Sequence, residues 1–538
     1  MNSVYHIIVR RLSTQQNHYK LVIIGSGCGG LACASKFAKK LPKDNIAIID
    51  KNDIHTYQPG WTLVGAGIKK AEELEKSQSE CIPQNTTWIQ AYANQVEPEK
   101  NLVQLDNGRK ITYDYLIVAA GIEINFNRIK GAIDALENDP QHVVSIYTRK
   151  YVTNVYNALN NFRDGHALFT FPATLIKCPG APQKIMYLAE DLFRKNNVRD
   201  KTTVTYNTSL PVIFGVKKYA AALMEVVKKR NIQLNTRLNL VEVRANSKEA
   251  IFENLDQPGT MKTFKYDLLH IGAPMQPHEF LTKSTLVDAN GYVDVHKETL
   301  QHKKFPNVFA IGDCTNLPTS KTAAAVAGSN GILVNNLSNL MFGTSDSVPK
   351  YDGYTSCPLL TGYDKCILAE FDFDGQPLET LPIDQGKERR ISYILKKDIM
   401  PAMYWNMLIK GTWNGPAVFR KMFRLGIIVY GCISKTTSDR EIKALLRILV
   451  KALESFSHID LIDSLIMCLT RLLSLLSTEY KIQKFNALDC FINTSIRTSI
   501  KRKPFKWKFK QLHATMALSF KSNFTFVAAD YFIKGRNS

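Results

Sequence analysis

The chain has 538 residues, of which 45% are hydrophobic and 22% are charged, proportions typical of a globular protein. They exclude a wholly disordered, a collagenous or a multi-span membrane chain. The 69 Lys and Arg residues exceed the 48 Asp and Glu residues and give a formal net charge of +21. Such an excess is typical of proteins that bind nucleic acid or anionic membranes, or that carry a basic targeting segment. The 10 cysteines are too few for a disulfide scaffold, so an important pair would be redox-active or catalytic.

The N-terminal segment, residues 1–19, mixes apolar, Arg and Ser residues and precedes the first acidic residue, Asp44. This composition is typical of a mitochondrial targeting segment. The apolar run Val4–Val9 is interrupted by His6 and is too short for a secretory signal. A short disordered tail is the alternative interpretation.

A glycine-rich motif follows. A strand is predicted at Lys20–Ile24, then a loop, then a helix that reaches about Lys40; a second strand, Ile46–Ile49, ends at Asp50. Strand, glycine loop, helix and strand-end acid in this order predict a dinucleotide-binding site. The candidate cofactor-binding residues of the loop are Gly25, Gly27, Cys28, Gly29 and Gly30.

Each part of this motif has an expected role. Gly25 would permit the tight turn, Gly27 would let the pyrophosphate approach the backbone, and Gly30 would allow close packing of helix on strand. Amides at the start of the helix would bind the phosphates. Asp50 would accept hydrogen bonds from the ribose hydroxyls.

Two later strand ends indicate that the dinucleotide is FAD. The segments Tyr113–Gly121 and Phe305–Asp313 each end in small residues, and Lys321 precedes a predicted helix at Thr322–Gly331. This arrangement resembles two-domain flavoprotein disulfide reductases. The resemblance implies that Asp313 bonds the ribityl chain and that Lys321 and the helix end stabilise negative charge on the flavin. A helix cap is the alternative role for Asp313.

A second glycine fingerprint, for a nicotinamide, is missing between Asp164 and Arg230. The matching strand, His166–Phe171, leads instead into a loop that contains three prolines and Cys178. Because that loop cannot let a pyrophosphate approach as a glycine turn does, a nicotinamide donor is not expected. Cys178 and Cys357 both precede proline, but spacing alone leaves their pairing a guess. No Cys or His spacing indicates zinc, so no metal site is predicted.

Over residues 20–426 the chain resembles the mitochondrial sulfide:quinone oxidoreductases. The segments that carry the resemblance are Gly25–Gly30, Thr56–Pro59, Trp61–Gly67, Lys177–Cys178, Gly180–Tyr187, Ile213–Tyr219, Gly312–Val326, Tyr351–Gly362, Met400–Pro401 and Tyr404–Met407. Pro179 stands where the family usually has a small residue. Residues 427–538 extend beyond the usual end of the family's chains.

The resemblance implies a mechanism. Cys178 and Cys357 would be catalytic, meeting over the flavin as a disulfide or sulfur-bridged pair. Hydrogen sulfide would attack and leave a persulfide on Cys357, while the freed Cys178 thiolate, activated by Lys177 and Lys184, reduces FAD. A small-molecule acceptor (sulfite, glutathione or cyanide) would take the sulfur, and ubiquinone would take the electrons. Further FAD-binding residues implied by the family are Gln58, Ala93, Gly121 and Gly312.

The predicted fold class is α/β, with two Rossmann-like domains of which the second is a degenerate NAD-type domain. The predicted boundaries are 1–19 for targeting, 20–140 with 285–345 for the FAD domain, 141–284 for the second domain, 346–426 for a quinone- and membrane-facing region, and 427–538 for a basic helical tail. In the fourth region, the apolar and basic residues of Ile391–Phe423 could lie on an anionic membrane surface. An ordinary core helix is the alternative from the residues alone.

The expected location is therefore the surface of the mitochondrial inner membrane, and nucleic acid is not an expected partner. The basic run Lys501–Lys510 interleaves charge with aromatic residues, but a solvated or membrane-facing role is favoured over a nucleic-acid site. Two other functions remain open. One is a type II NADH:quinone oxidoreductase, and the other is a non-catalytic flavin-bearing interaction protein.

Overall fold

A computed structural model describes residues 17–344 and 347–423 of the chain. Residues 1–16 of the predicted targeting segment and the whole predicted tail, 427–538, lie outside the described residues. The predicted domain boundaries stay predictions.

The described residues alternate strands and helices for most of their length. The strands are β1 His18–Ile24, β2 Ile46–Ile49, β3 Ile54–Thr56, β4 Glu75–Ser77, β5 Thr87–Ile89, β6 Ala93–Glu97, β7 Leu102–Leu105, β8 Lys110–Val118, β9 Glu123–Ile124, β10 Val143–Val144, β11 Gly165–Phe171, β12 Thr202–Thr208, β13 Gln233–Asn235, β14 Leu238–Arg244, β15 Glu249–Asn254, β16 Met261–Lys265, β17 Leu268–His270, β18 Met275–Gln276, β19 Val308–Ala310, β20 Thr355–Leu360 and β21 Cys366–Phe371. The helices are α1 Cys28–Phe37, α2 Trp61–Gly65, α3 Gln78–Cys81, α4 Ala132–Asn138, α5 Arg149–Asn161, α6 Ala181–Lys195, α7 Lys217–Lys229, α8 Glu279–Thr282, α9 Ala323–Phe342, α10 Arg390–Ile394 and α11 Met400–Met403. Short 3-10 turns occupy Gln58–Gly60, Ala71–Leu74, Pro98–Lys100, Phe126–Arg128, Arg199–Lys201 and Ala245–Ser247, and π-helical turns occupy Leu395–Ile399 and Tyr404–Leu408.

The larger sheet holds the predicted dinucleotide motif. Its strands follow the order β5-β2-β1-β8-β7-β6, and β19 pairs in parallel with the end of β8. The residues of β1 from Leu21 to Ile24 are all buried, as expected for a parallel strand covered by helices on both faces. Because β1, β8 and β19 are parallel neighbours, the loops after them emerge at one edge. That edge is where open α/β sheets bind ligands.

The second sheet is smaller and entirely parallel, with the order β10-β17-β11-β12-β13. An antiparallel sheet of β14, β15 and β16 follows it in sequence. The strand predicted at His166–Phe171 is β11, and its carboxyl end releases the chain into the loop of Cys178. The predicted α/β class with two Rossmann-like units is thus confirmed.

The C-terminal part of the described chain begins with the hairpin β20–β21, in which Cys357 pairs with Ala369. A helical stretch of alternating α and π turns then runs from Arg390 to Leu408. Among the described residues, no helix is long and apolar enough to span a membrane.

The prediction that this stretch lies with its apolar residues on a membrane was partly wrong. Tyr404, Leu408 and Ile409 are buried in the hydrophobic core of the protein itself. Lys396 and Arg420, expected to meet lipid headgroups, are also buried. Lys396 donates a hydrogen bond to the Pro59 carbonyl at 2.7 Å. The reason is packing, because this stretch covers the loop that follows β3.

Candidate active site

The glycine loop follows β1 and leads directly into α1, as predicted. Gly25 adopts a left-handed φ of +95°, and a Cβ atom there would lie 2.4 Å from the Ala119 carbonyl oxygen. A Cβ atom on Gly30 would lie 1.8 Å from the Gly25 carbonyl oxygen. These two glycines are therefore required by the turn and by the close packing of α1 on it.

The remaining residues of the loop face more open space. A Cβ atom on Gly27 would meet nothing within 4 Å, and Gly27 caps α1 without a side-chain hydrogen bond to the first-turn amides. A phosphate can therefore reach those amides. Gly29 packs against the Ile311 side chain. The Cys28 thiol is hydrogen-bonded to Tyr404, and burial raises its pKa.

Asp50 lies beside this loop, directly after β2. Its Oδ2 atom accepts hydrogen bonds from the backbone amide and the hydroxyl of Ser26, both at 2.7 Å. Its Oδ1 atom accepts two more from Asn52, at 3.0 and 2.9 Å. These four bonds fill the capacity of a carboxylate. A ribose hydroxyl would therefore have to replace one of them, and the ribose role of Asp50 stays a prediction.

A cavity lies between the end of β19 and the start of α9. Its lining includes Gly312, Asp313, Lys321, Thr322 and Ser329. The Thr322 hydroxyl accepts a hydrogen bond from the Ala325 amide and thereby caps α9. The helix thus starts at the cavity, as the sequence predicts, but the cap is Thr322. Burial raises the pKa of Asp313, while the ammonium groups of Lys321 and Lys177 oppose this rise.

The ammonium group of Lys321 is held more firmly by the protein than the sequence indicates. It donates hydrogen bonds to the carbonyl oxygens of Asp313 at 2.7 Å and Thr315 at 3.0 Å. It also lies 4.2 Å from the ring centre of Tyr292. Lys321 nevertheless lines the cavity, where its charge would favour an anionic ligand.

The other predicted FAD-binding residues are spread along the same edge. Gly121 has a left-handed φ of +74°, with open space on its Cβ side. The exposed side chain of Gln58 accepts a hydrogen bond from the Lys177 ammonium at 2.8 Å. Ala93 is buried at the start of β6, four residues after Ile89, whose carbonyl accepts a hydrogen bond from the Asp50 amide, and its contact with the cofactor stays a prediction.

Cys178 lies in the loop between β11 and α6. Its backbone adopts a left-handed φ of 51°, which is sterically unfavourable for a cysteine and is found most often at functional sites. The Cys178 amide donates a hydrogen bond to the Lys321 carbonyl at 2.7 Å, and its own carbonyl accepts one from the Ala181 amide at 2.8 Å. These two bonds fix the thiol between the first turn of α6 and the cavity before α9.

Cys357 is buried on β20 and meets this loop. A Cβ atom on Gly180 would lie 2.4 Å from the Cys357 sulfur, so only glycine lets the hairpin approach the start of α6. The buried Lys184 ammonium is 3.1 Å from the Cys178 sulfur and 4.0 Å from the Cys357 sulfur. Two cysteines separated widely in sequence therefore share one cation, and both are reduced in this structure.

These contacts make the two thiols unequal. A hydrogen bond from the Cys357 thiol and the charge of Lys184 hold the pKa of Cys178 well below its usual value, against the effect of burial. The same hydrogen bond, together with burial, raises the pKa of Cys357. Cys178 is thus the stable thiolate of the pair, in agreement with its shorter distance to Lys184.

Of the two lysines expected to activate the thiolate, the structure places Lys184 at both sulfurs. Lys177 points to Gln58, and burial lowers its pKa to about 8. The second cation near the sulfurs is instead Lys396, whose pKa burial and Lys184 lower to about 8 and whose charge favours the Cys178 thiolate. Lys396 was missed because its sequence context is that of an amphipathic surface segment.

Comparison with known proteins agrees with this geometry. The pyridine nucleotide-disulphide oxidoreductase family matches residues 19–156 and 188–328. The mitochondrial sulfide:quinone oxidoreductase of Mus musculus is 48% identical over 414 residues, which are 77% of this chain and 91% of that protein. The protein of the same name from Dictyostelium discoideum is 43% identical over 74% of this chain and 88% of its own. The chain belongs to the mitochondrial sulfide:quinone oxidoreductase family.

A solved bacterial structure shows the same fold. The sulfide:quinone oxidoreductase of Aquifex aeolicus superposes with a TM-score of 0.63 at 19% identity, over 76% of this chain and 95% of that one. The chain is an oxidoreductase, and like the family it is a flavoprotein that uses FAD. The residues fit the cofactor, since Gly27 leaves the α1 amides open and the cavity at Asp313 and Lys321 adjoins them along one sheet edge.

Proposed function

We propose that the protein oxidises hydrogen sulfide at the pair Cys178 and Cys357, with ubiquinone as the final electron acceptor. The family supplies the reaction class. The observation that carries the assignment of residues is the shared cation, since Lys184 contacts both sulfurs from a buried position. A buried lysine beside two thiols has little structural reason to be there, because burying an ammonium is unfavourable unless an anion accompanies it.

The first step forms one sulfur–sulfur bond and breaks another. Starting from a Cys178–Cys357 disulfide, hydrosulfide attacks the Cys357 sulfur and forms a persulfide there. The electron pair of the broken bond stays on Cys178 as a thiolate, so charge is conserved. The leaving thiol should be the one with the lower pKa. In this structure that thiol is Cys178, which supports Cys357 as the carrier of the persulfide.

FAD, when bound, supplies the two-electron acceptor for the Cys178 thiolate. The protein holds that thiolate in place through the Cys178 amide and stabilises its charge through Lys184. Asp313, Lys321 and the start of α9 would bind the cofactor on the side of the cavity. Gly27 and the first amides of α1 would bind its pyrophosphate.

The second substrate takes the sulfane sulfur from Cys357 and leaves a Cys357 thiolate. A bond from this thiolate to the Cys178 sulfur would restore the disulfide, and the two electrons released would pass to FAD when the cofactor is bound. Sulfite, glutathione thiolate and cyanide are all anions, and Lys184 and Lys396 together place two buried ammonium groups near the sulfurs. Their positive charge would attract such an anion and stabilise it during attack. The location that fits this chemistry is the surface of the mitochondrial inner membrane, where ubiquinone is available.

The test is anaerobic flavin reduction. We expect sulfide to bleach the flavin band of the purified protein, and we expect the Cys178→Ser and Cys357→Ser variants each to lose this reaction while they retain FAD. Cys314→Ser is the matched control, since the Cys314 thiol contacts backbone groups of Val118, Ala120, Gly121 and Ile311 and neither of the two reactive sulfurs. Bleaching by NADH but not by sulfide would sink the proposal, and equal bleaching in both cysteine variants would remove the dithiol mechanism.

A further inference from the structure

Helix α6 carries a buried acidic residue as well as the cation of the sulfur pair. Glu190 lies six residues after Lys184 and is fully buried. Its Oε1 atom accepts hydrogen bonds from Arg194 at 2.5 Å and from Arg199 at 3.0 Å. Its Oε2 atom lies 3.4 Å from the Nη1 atom of Arg230. A buried carboxylate needs cations beside it, so these arginines explain how the fold tolerates Glu190.

Arg230 differs from the other two arginines in what else it binds. It follows α7, and its guanidinium donates hydrogen bonds to the Thr361 carbonyl and, at 2.8 Å, to the Glu388 carboxylate. Thr361 directly follows β20, the strand of Cys357. The residue after Glu388 pairs with the start of β21. The Arg230 side chain therefore joins α6 to the turn of the hairpin and to the segment paired with its second strand.

The next residue of α6 holds the same turn. The Tyr363 amide donates a hydrogen bond to the Asp191 carboxylate at 2.9 Å. At the start of α6, Gly180 lies against the Cys357 sulfur. The hairpin is thus attached to α6 at two places, beside Cys357 and at the turn that follows β20.

Arg199 provides a contrast to Arg230. The two side chains are equally buried, at 11% exposure each, and both contact Glu190. Besides Glu190, Arg199 binds the backbone carbonyls of Thr202, Arg230 and Asn231. None of these carbonyls belongs to the hairpin, so Arg199 stabilises the same carboxylate without holding the strand of Cys357.

We propose that Arg230 is a positioning residue for the sulfur pair, which acts through Glu190 and the hairpin turn to keep the Cys357 sulfur within bonding reach of Cys178. This role rests on the proposed function, in which the bond between these sulfurs breaks and re-forms in each turnover. A bond forms more readily between two groups that are already held in place, because the entropy of bringing them together has been lost beforehand. The contacts of Arg230 prevent the hairpin from moving away from α6 while the bond is open.

The test measures this bond directly and without sulfide. The holoenzyme is equilibrated anaerobically with 2-mercaptoethanol and its disulfide. That disulfide takes up the two electrons and two protons of the cysteine thiols and becomes two molecules of 2-mercaptoethanol, while the Cys178–Cys357 bond forms. The fraction of bonded protein, found by mass spectrometry after acid quenching and alkylation, gives an equilibrium constant in units of concentration.

We expect Arg230→Met to lower this constant about tenfold or more, since misplacing a reacting group by about 1 Å costs about a hundredfold. Arg199→Met is the matched control. It also takes one cation away from Glu190 and should lower the melting temperature by a similar amount, but it should leave the constant at the wild-type value.

Arg230→Lys keeps a positive charge beside Glu190 and replaces Arg230→Met if that variant does not fold. Lysine lacks the planar fork that binds Glu190, Thr361 and Glu388 together, so we expect a smaller decrease of the same sign. The inference is overturned if Arg230→Met matches Arg199→Met or, should Arg230→Met not fold, if Arg230→Lys has the wild-type constant. Failure of sulfide to bleach the wild-type flavin would instead overturn the proposed function, and it would leave this constant measurable.

Discussion

At the scale of single residues, Lys184 controls the chemistry of the sulfur pair. Its ammonium is buried and lies 3.1 Å from Cys178, and the thiolate in turn raises the pKa of the lysine. Cation and thiolate therefore stabilise each other in a place where either alone would be strongly unfavourable. The pair makes the nucleophile available without an exposed catalytic base.

Replacing Lys184 with Met should raise the pKa of Cys178. An opposite charge this close shifts a pKa by about 1–3 units. Here the ammonium lowers the thiol pKa, so without it the thiolate forms only at higher pH. The measurement is the rate at which iodoacetamide alkylates Cys178 in the reduced protein, recorded as a function of pH. We expect the midpoint of this curve to lie about one pH unit or more higher in Lys184→Met than in the wild type.

Lys177→Met is the matched control, since the Lys177 ammonium bonds Gln58 and not a sulfur. Its alkylation curve should coincide with that of the wild type. A curve displaced as far as that of Lys184→Met would mean that the general positive charge of the loop, and not one lysine, sets the thiol pKa.

At the scale of elements, two glycines of the loop before α1 have different roles: Gly30 is needed for folding and Gly27 for cofactor binding. Gly30→Ala places a methyl group against the Gly25 carbonyl, 1.8 Å away, whereas Gly27→Ala places it in open space. We expect Gly30→Ala to lower the melting temperature of the apoprotein and to lose FAD. Gly27→Ala should melt like the wild-type apoprotein but retain less FAD per chain, because its methyl group occupies the approach to the phosphate-binding amides.

The two readouts, melting of the apoprotein and the ratio of flavin to protein, are independent. A normal flavin ratio in Gly27→Ala would contradict the phosphate-binding role of this side of the loop. An unchanged melting temperature in Gly30→Ala would contradict the close packing of α1 on the turn.

The elements that the sequence predicts well are those with local signals. The strand before Gly25, the acid after β2 and the loop of Cys178 each follow from a short pattern of residues. The contacts of Lys396 and Tyr404 could not be predicted in this way. Whether an amphipathic helix turns its lysine outward depends on which surface it covers. Here it covers β3 and the loop after it, and His55 of β3 is hydrogen-bonded to the Tyr404 hydroxyl at 2.7 Å.

The same limit holds inside the site. That Cys178 and Cys357 belong together was expected only from the resemblance, because their spacing carries no information about distance. Lys184 was a candidate for its nearness in sequence, and the helical turn of α6 explains its success.

At the scale of the whole molecule, much of the excess positive charge and the candidate site residues lie in different parts of the sequence. The predicted tail, 427–538, holds 18 Lys and Arg residues against 8 Asp and Glu residues, about half of the excess that gives +21. Every candidate site residue lies between Gly25 and Lys396. The net charge therefore says little about the active site.

Truncation after Gly426 should leave FAD content and sulfide-driven bleaching unchanged. It should also leave sedimentation with anionic vesicles in place if residues 391–423 supply the membrane contact. The full-length protein at low and high salt is the control, because only electrostatic binding weakens with salt. Loss of FAD on truncation would show that the tail is integral, and loss of vesicle binding alone would assign the membrane contact to the tail.

The hydrogen bond from the Cys178 amide to the Lys321 carbonyl has a mechanical consequence. Residues 177 and 321 form a parallel β-bridge. This bridge joins the backbone of the Cys178 loop to the backbone of the loop that borders the cavity before α9. A hinge motion that separated the two Rossmann-like units would break this β-bridge and would let the backbone of Cys178 leave its left-handed conformation. We therefore expect turnover to proceed without a hinge motion of the two units, with sulfide and the sulfur acceptor reaching the cysteines while this β-bridge stays intact.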